Sequence, residues 1–90
     1  MPVVRIPALL RDLTGGAASL QVPGATVREV IRNLEELYPG VQARLCENDQ
    51  LRPTISVFVD GSISQQRLRH KLQENSEIHF LPAISGGDGK

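Results

Sequence analysis

The chain has 90 residues, enough for one domain, and 40% of them are apolar and 22% charged. Its ten basic and ten acidic side chains give zero formal net charge, which argues against a nucleic acid or an anionic membrane as a partner. The chain shows neither a signal-peptide pattern nor an apolar run long enough to span a membrane, so we expect a cytoplasmic protein.

The first third of the chain predicts two β-strands. Apolar and other residues alternate in VVRIP at 3–7 and again in ASLQV at 18–22, which is typical of strands with one buried face. TGG at 14–16 precedes a strand rather than a helix, so we interpret it as a turn and not as a phosphate-binding loop. PG at 23–24 ends the second strand.

A helix at 26–38 is the clearest predicted element. Thr26 and Glu29 have the spacing of a capping box, in which each side chain satisfies a free backbone N–H at the start of a helix. Pro39 ends the helix, because the residue before a proline is pushed out of the helical region. The apolar stripe of this helix consists of Val27, Val30, Ile31, Leu34 and Leu37.

The second half of the chain predicts further strands and short connections. They are, in order, a helical turn and polar loop at 41–53, a strand at 54–61 ending in an Asp-Gly turn, a short return strand at 62–64, a loop or helical turn pinned by Leu68 and Leu72, and a strand at 76–83. Alternation in the last strand points Ile78 and Phe80 inward and His79 and Leu81 outward, and Pro82 should end its regular pairing. The order predicts an α+β fold with a mixed sheet of four to five strands and one main helix on one face.

Residues that could carry catalysis are scarce. Cys46 is the single cysteine, which excludes an internal disulfide and a cysteine-based metal cluster, and we interpret it as a small buried residue rather than a catalytic thiol. Glu35 and Glu36 are adjacent on a helix and point apart, so they form no acid/base pair. The basic run RLRHK at 67–71 is interpreted as a solvated face, since too few charges converge for a nucleic-acid site. We expect no metal site.

The chain closes on LPAISGGDGK, in which two glycines directly follow an apolar strand. This ending and the element order resemble the ubiquitin-like β-grasp sulfur carriers of the ThiS/MoaD family. The likeness runs from VRIPALLRDLTGG through the TVREVIRNLEELYPGV helix and ISVFVDG to Gly87, and it is nearest to the MoaD-like branch that includes the carrier of cysteine biosynthesis. It implies a β-grasp domain at 1–83 and a flexible tail at 84–90.

The resemblance also implies a function for the diglycine. In this family an adenylyltransferase of the ThiF/MoeB type uses ATP and Mg²⁺ to adenylate the terminal glycine, and a sulfur donor then converts the adenylate to a thiocarboxylate. The reacting residue would be Gly87, and Gly86 would provide clearance behind it. The protein would be a carrier rather than an enzyme, with no cofactor of its own. Its partner would be a sulfur-accepting enzyme of thiamin, molybdopterin, cysteine or tRNA metabolism, and one variant of this function is the small subunit of a molybdopterin synthase.

The residues after the diglycine depart from the family pattern. Because Gly87 is joined to Asp88 by an amide, it has no free carboxylate to adenylate. Three explanations are open: a precursor cut between Gly87 and Asp88, residues added in cloning, or a paralogue that has abandoned the chemistry. We favour the precursor, with a zinc protease of the JAMM type as the processing enzyme.

An apolar part of the sheet beside the tail is the expected docking surface for the adenylyltransferase. The candidates are Phe58, Leu81 and Ile84, each of which could instead belong to the core. Two alternatives to the sulfur carrier are open: a ubiquitin-like binding module that uses its sheet without any tail chemistry, and a protein modifier conjugated through Gly87.

Overall fold

The computed structural model describes residues 1–82. Its strands and helices are, in chain order, β1 (Val3–Arg5), β2 (Ser19–Gln21), α1 (Val27–Leu37), α2 (Val41–Leu45), β3 (Cys46–Glu47), β4 (Gln50–Leu51), β5 (Ile55–Val59), β6 (Ser62–Ile63) and β7 (Glu77–Pro82). Single 3-10 turns lie at Ala8–Leu10 and Arg67–Arg69. No helix in this part of the chain is both long and apolar enough to cross a membrane.

Five strands form one mixed sheet in the order β2-β1-β7-β5-β6. The neighbours β1 and β7 are parallel, and the other three pairs are antiparallel. The observed sheet with α1 as its main helix confirms the predicted α+β architecture. The expected strands at 3–7 and 54–61 are shorter than predicted. β1 ends at Arg5, shortly before Pro7, which has no N–H to donate, and β5 ends at Val59, where the Asp60-Gly61 turn begins.

The core lies between α1 and one face of the sheet, which we call the inner face. Opposed residues on this face include Val4 with Ile78 and Val57 with Phe80, and each is no more than 1% exposed. The buried apolar core consists of Val4, Ile6, Leu10, Val22, Val27, Val30, Ile31, Leu34, Val41, Leu45, Leu51, Ile55, Val57, Val59, Leu68, Ile78 and Phe80. Strand alternation therefore leaves the other face of the sheet for surface contacts.

The start of α1 has the expected capping box in a slightly shifted form. Thr26 Oγ1 accepts the backbone N–H of Glu29 at 3.2 Å, and the Glu29 carboxylate accepts the N–H of Ala25 at 3.0 Å. The predicted return bond to Thr26 thus falls one residue earlier. These bonds satisfy backbone donors that a helix start leaves without partners.

The end of α1 corrects the predicted apolar stripe. Leu37 is 59% exposed, whereas Tyr38 packs against the core. At about 100° per residue, Leu37 lies roughly 70–80° from the centre of the stripe formed by the buried positions, and residue 38 lies close to that centre. Counting apolar residues at spacings of three therefore placed Leu37 on the wrong side of the helix end.

A small hairpin replaces the polar loop expected within 41–53. Strands β3 and β4 pair through Cys46 opposite Leu51, and Asn48 and Asp49 form the turn between them. Both turn residues have positive φ, 56° and 63°, which is the backbone of a type I′ turn. Strands of two residues carry too little alternation to be recognised in a sequence, so the Asn-Asp pair was the available signal.

Candidate functional site

The face of the sheet opposite α1 carries the candidate docking residues. We call it the outer sheet face and define it by Arg5, Phe58, Ile63, His79 and Leu81. The registers place Phe58 directly opposite both His79 and Ile63, and they place His79 opposite Arg5. Leu81 lies opposite Ser56, two residues nearer to the end of β7. A row of side chains thus crosses four strands.

The outer sheet face exposes apolar surface close to the end of β7. Leu81 is 42% exposed and Ile63 is 52% exposed, while Phe58 is half-buried between its cross-strand neighbours. The structure therefore puts Phe58 and Leu81 outside the core, and for Leu81 this is the outward position that the alternation predicted. Ile63 was missed by sequence reasoning. Its signal was the two-residue Asp60-Gly61 turn, which fixes residue 63 opposite residue 58.

A charged group lies along one edge of this apolar surface. The Arg5 side chain donates a hydrogen bond to the Glu77 carboxylate, and this bond holds the pKa of Glu77 below its usual range. His79 Nε2 lies 3.8 Å from the other Glu77 oxygen, so the two groups form an ion pair when the imidazole is protonated. All three side chains are partly exposed. The face therefore combines an apolar patch with a polar rim, the arrangement that protein interfaces use.

The end of β7 is the last part of the chain that the structure describes. Pro82 lies opposite Ile55, and two open surface hollows of about 480 and 760 Å³ meet at Pro82 and Leu9. Beside the smaller hollow, Arg44 forms a two-bond ion pair with Asp12, at 2.7 and 3.0 Å, which lowers the pKa of that carboxyl. The predicted reacting, processing and docking residues of the tail, Ile84, Gly86, Gly87 and Asp88, lie outside the described residues, as does the expected boundary at 83–84.

The remaining candidates have structural partners. Cys46 is half-buried against the core, and burial raises the pKa of its thiol, which is the opposite of what a thiolate nucleophile requires. The Glu35 carboxylate accepts the N–H groups of Gly40 and Gln42 and thereby joins α1 to α2, while Glu36 is exposed. Within residues 1–82 there is no group of three or more His, Cys, Asp or Glu side chains able to hold a metal ion.

A serine–histidine contact was not anticipated from the sequence. Ser64 Oγ lies 2.7 Å from His70 Nδ1 and also accepts the N–H of Arg67 at 2.9 Å. Because Ser64 is only 5% exposed, its hydroxyl is out of reach of a substrate. The contact fastens the 3-10 turn at Arg67–Arg69 and satisfies a buried polar group.

Comparison with known proteins places this arrangement in a family. The chain is 30% identical over 89 residues to the sulfur carrier protein CysO of Mycobacterium tuberculosis, which covers 93% of the chain and 96% of that protein. It is 29% identical over 65 residues to small archaeal modifier protein 3 of Haloferax volcanii, covering 70% and 71%. Its fold matches a chain of the Amycolatopsis orientalis BexX/CysO complex with a TM-score of 0.88 and 34% identity, covering 97% of this chain and all of that one.

These relatives agree with the resemblance noted in the sequence. The fold is the ubiquitin-like β-grasp, and the relatives include a sulfur carrier protein as well as an archaeal modifier. The ThiS family model matches residues 4–87, which is nearly the whole chain and ends at the second glycine of the pair. The chain therefore belongs to the ThiS family of ubiquitin-like sulfur carriers.

Proposed function

We propose that this protein carries sulfur as a thiocarboxylate on Gly87, after the segment beginning at Asp88 has been removed. The observation that supports this most is the extent of the family match, which ends at Gly87 and leaves Asp88 outside it. Gly87 lies five residues after Pro82, the end of β7, and five extended residues reach about 17 Å. That length is enough to bring a carboxylate into the active site of another protein.

The chemistry follows from the low reactivity of a carboxylate. Its negative charge repels nucleophiles, and it has no leaving group. In the proposed first step, the freed Gly87 carboxylate attacks the α-phosphorus of ATP, which forms an acyl-adenylate and releases pyrophosphate. In the second step, a sulfide ion attacks the acyl carbon and displaces AMP, which leaves the thiocarboxylate. The ATP and Mg²⁺ belong to an adenylyltransferase of the ThiF/MoeB type, so the carrier itself is a co-substrate.

The experiment compares three proteins in an adenylation assay with the ThiF/MoeB-type enzyme of the same organism. These are the chain ending at Gly87, the chain through Lys90, and the shortened chain with Gly87→Ala. With MgATP and sulfide, the chain ending at Gly87 should gain the mass difference between one sulfur and one oxygen, whereas the chain through Lys90 should not change. Equal conversion of both would refute the need for cleavage, and conversion of neither would refute the carrier function.

Processing is tested separately from sulfur transfer. We propose that a JAMM-type metalloprotease cleaves the Gly87–Asp88 bond. Incubation with such a protease from the host should give a product that ends at Gly87 by intact mass, and chelating the protease's zinc should prevent this. A Gly86→Ala variant cleaved at the same rate would show that the diglycine is not what the protease recognises.

Docking of the adenylyltransferase is proposed on the outer sheet face, together with Ile84 of the tail. Three observations support this surface: Leu81 is exposed, it lies next to Pro82 at the end of β7, and its neighbour Phe58 is half-buried. Leu81→Asp should raise the KM for the carrier about tenfold or more, and Phe58→Asp should act in the same direction. Leu37→Asp is the matched control, because Leu37 is a leucine on α1 that is even more exposed than Leu81. If Leu81→Asp and Leu37→Asp change the KM for the carrier equally, docking occurs on another surface.

A protein modifier is the second candidate, and the similarity to small archaeal modifier protein 3 favours it over a simple binding module. A modifier would use the same activated Gly87 but transfer it to a lysine amine. Mass spectrometry of protease-digested host protein should then find Gly-Gly remnants on lysines that disappear when the gene is deleted. A binding module, in contrast, would keep its function when residues 86–90 are deleted.

A further inference from the structure

A polar cleft of about 410 Å³ lies beside α1, distinct from the tail and from the outer sheet face. Its walls come from three parts of the chain that are far apart in sequence: α1, β4, and the segment 65–69. Two buried leucines, Leu51 and Leu68, close it from the core side. The polar lining consists of Arg28, Gln50, Gln65, Gln66, Arg67 and Arg69, and we call this site the arginine cleft.

The arginines of the cleft form no ion pair with a carboxylate of the described chain. Arg5, Arg44 and Arg52 each have a carboxylate within 4.0 Å, but within residues 1–82 none of the three cleft arginines has one. No acidic side chain lines the cleft. Arg28 contacts the turn residue Asp49 through its backbone carbonyl, at 3.1 Å, and not through its carboxylate. The cleft therefore offers an anion three guanidinium groups.

Arg67 is held rigidly at the edge of the cleft. Its backbone has a φ of 55°, a left-handed conformation that non-glycine residues rarely adopt. Nη2 of its guanidinium lies 2.8 Å from the carbonyl oxygens of Arg52 and Ile55, and the neighbouring Leu51 carbonyl lies at 3.4 Å. These contacts use only Nη2. The N–H groups on Nε and Nη1 of Arg67 are therefore held in place, and they have no hydrogen-bond partner within residues 1–82. A charge positioned in this way is preorganised for a ligand.

The donor set indicates the chemistry of that ligand. Three guanidinium groups and three amides supply more N–H donors than one carboxylate can accept. A ligand with more than one negative charge would best balance the positive charges of the arginines. A phosphate group carries up to two charges on three free oxygens. The volume of the cleft is within the range of small-molecule sites. We propose that the arginine cleft binds a phosphate-bearing small molecule.

Inorganic polyphosphates and nucleotides share this chemistry, and the test separates them. The ¹⁵N-labelled full chain is titrated with inorganic pyrophosphate at low ionic strength, where charged contacts are least screened. Pyrophosphate should shift the backbone amide signals of residues 65–69 and of Gln50. ATP and AMP are titrated in parallel. Tighter binding of ATP than of pyrophosphate would identify a nucleotide site, and equal binding would identify a site for the phosphates alone; either result supports the proposal.

Matched charge-neutralising variants link binding to the cleft. Arg28→Gln and Arg69→Gln should each weaken pyrophosphate binding about tenfold. Arg32→Gln is the control, because Arg32 is exposed one turn further along α1 and does not line the cleft. Arg67 is left unchanged, since its side chain also holds the loop before β5. The unshifted signals of the rest of each spectrum check that the variants are folded.

Three results would overturn the proposal. The first is a spectrum that millimolar pyrophosphate leaves unchanged, and the second is equal weakening by Arg32→Gln, which would reveal only general attraction to positive charge. The third is tighter binding of a polyglutamate peptide than of any phosphate compound. That outcome would make the cleft a contact for an acidic segment of a partner protein.

Discussion

On the outer sheet face, two turn residues decide which apolar side chains become neighbours. Asp60 and Gly61 have φ values of 53° and 86°, the left-handed pair that a type I′ turn requires. With this turn, Ile63 lies opposite Phe58 on the outer face. A slip of one residue would turn Ile63 toward the core and remove the most exposed part of the proposed docking surface.

Gly24 is a residue whose lack of a side chain allows close packing. A Cβ added there would lie 2.6 Å from Cγ2 and 2.8 Å from the backbone nitrogen of Val30 in α1. Gly24→Ala should therefore lower the free energy of unfolding by about 1–3 kcal/mol, the usual cost of overpacking. Urea unfolding followed by circular dichroism measures the change. Ala25→Ser, at the exposed next position, is the control and should change little. A Gly24→Ala protein as stable as the parent would mean that the connection moves freely away from α1.

The Arg5–Glu77 pair predicts a pH dependence of stability. The pKa of Glu77 is lowered in the folded protein, mainly by the hydrogen bond from Arg5, so this carboxylate stabilises the fold fully above its unfolded-state pKa of about 4.5. The contribution is lost as the pH falls through the lower folded-state pKa. In Glu77→Gln, urea midpoints should decline less between pH 6 and pH 3 than in the parent.

Glu74→Gln is the control for this pH dependence, because Glu74 is exposed and forms no ion pair within residues 1–82. The urea midpoint of Glu74→Gln should decline between pH 6 and pH 3 as much as that of the parent. If the parent and Glu77→Gln show the same decline, the pair is too well solvated to contribute, as many surface ion pairs are.

Among the secondary-structure elements, α1 is both the main support of the inner face and the element with the strongest sequence signals. Its first turn is fixed by Thr26 and Glu29, and its last turn joins α2 through the Glu35 carboxylate, 2.8 Å from the Gln42 nitrogen. These local bonds set where the helix begins and how the chain turns after it. The position of α1 in turn sets where Arg28 stands in the arginine cleft.

The capping box of α1 makes a prediction at this scale. Thr26→Ala removes the oxygen that accepts the Glu29 N–H, so the free energy of unfolding should fall by about 1 kcal/mol. Chemical unfolding measures the loss, and Thr26→Ser should restore most of it because serine keeps the accepting oxygen. Thr54→Ala, at an exposed position between β4 and β5, serves as the control. A serine variant as unstable as the alanine variant would show that the threonine methyl group, not the cap, is responsible.

At the scale of the whole molecule, we propose that the β-grasp domain docks to the partner enzyme and that the tail carries the reacting group. Within residues 1–82, the buried core runs from Val4 to Phe80. We therefore expect the domain to fold without residues 83–90. The outer sheet face includes Leu81, so the proposed docking surface extends to the neighbour of Pro82, the last described residue.

Truncation tests this division. A chain ending at Pro82 should keep its free energy of unfolding within about 0.5 kcal/mol, the range of ordinary surface changes. The same chain should lose sulfur transfer completely, because it lacks Gly87. Unfolding curves and the adenylation assay measure the two effects. A large loss of stability would show that residues after Pro82 belong to the folded domain.

Whether a feature could be predicted from the sequence depended on how far apart in the chain its interacting residues lie. The α1 helix, the inner-facing strand residues and the Asp60-Gly61 turn were predictable, because their signals are periodic or lie within a few residues. The β3–β4 hairpin escaped prediction because two-residue strands have no measurable period. Leu37 was misplaced because steps of three residues drift around the helix, so that residue 38 rather than residue 37 faces the core. The tail chemistry came from a resemblance, and it stays a prediction.

The order of the elements, the inner face of the sheet and the position of the diglycine after the last strand follow from the amino-acid sequence, because each depends on a local pattern. The surfaces that those elements form together follow from the three-dimensional fold. It placed Ile63 beside Phe58 on the outer sheet face, and it brought Arg28 from α1 to Arg67 and Arg69, which the sequence alone presented as a solvated basic run. Cross-strand register and helix packing bring together residues that are far apart in the chain. A binding site can form where several charged side chains meet in this way.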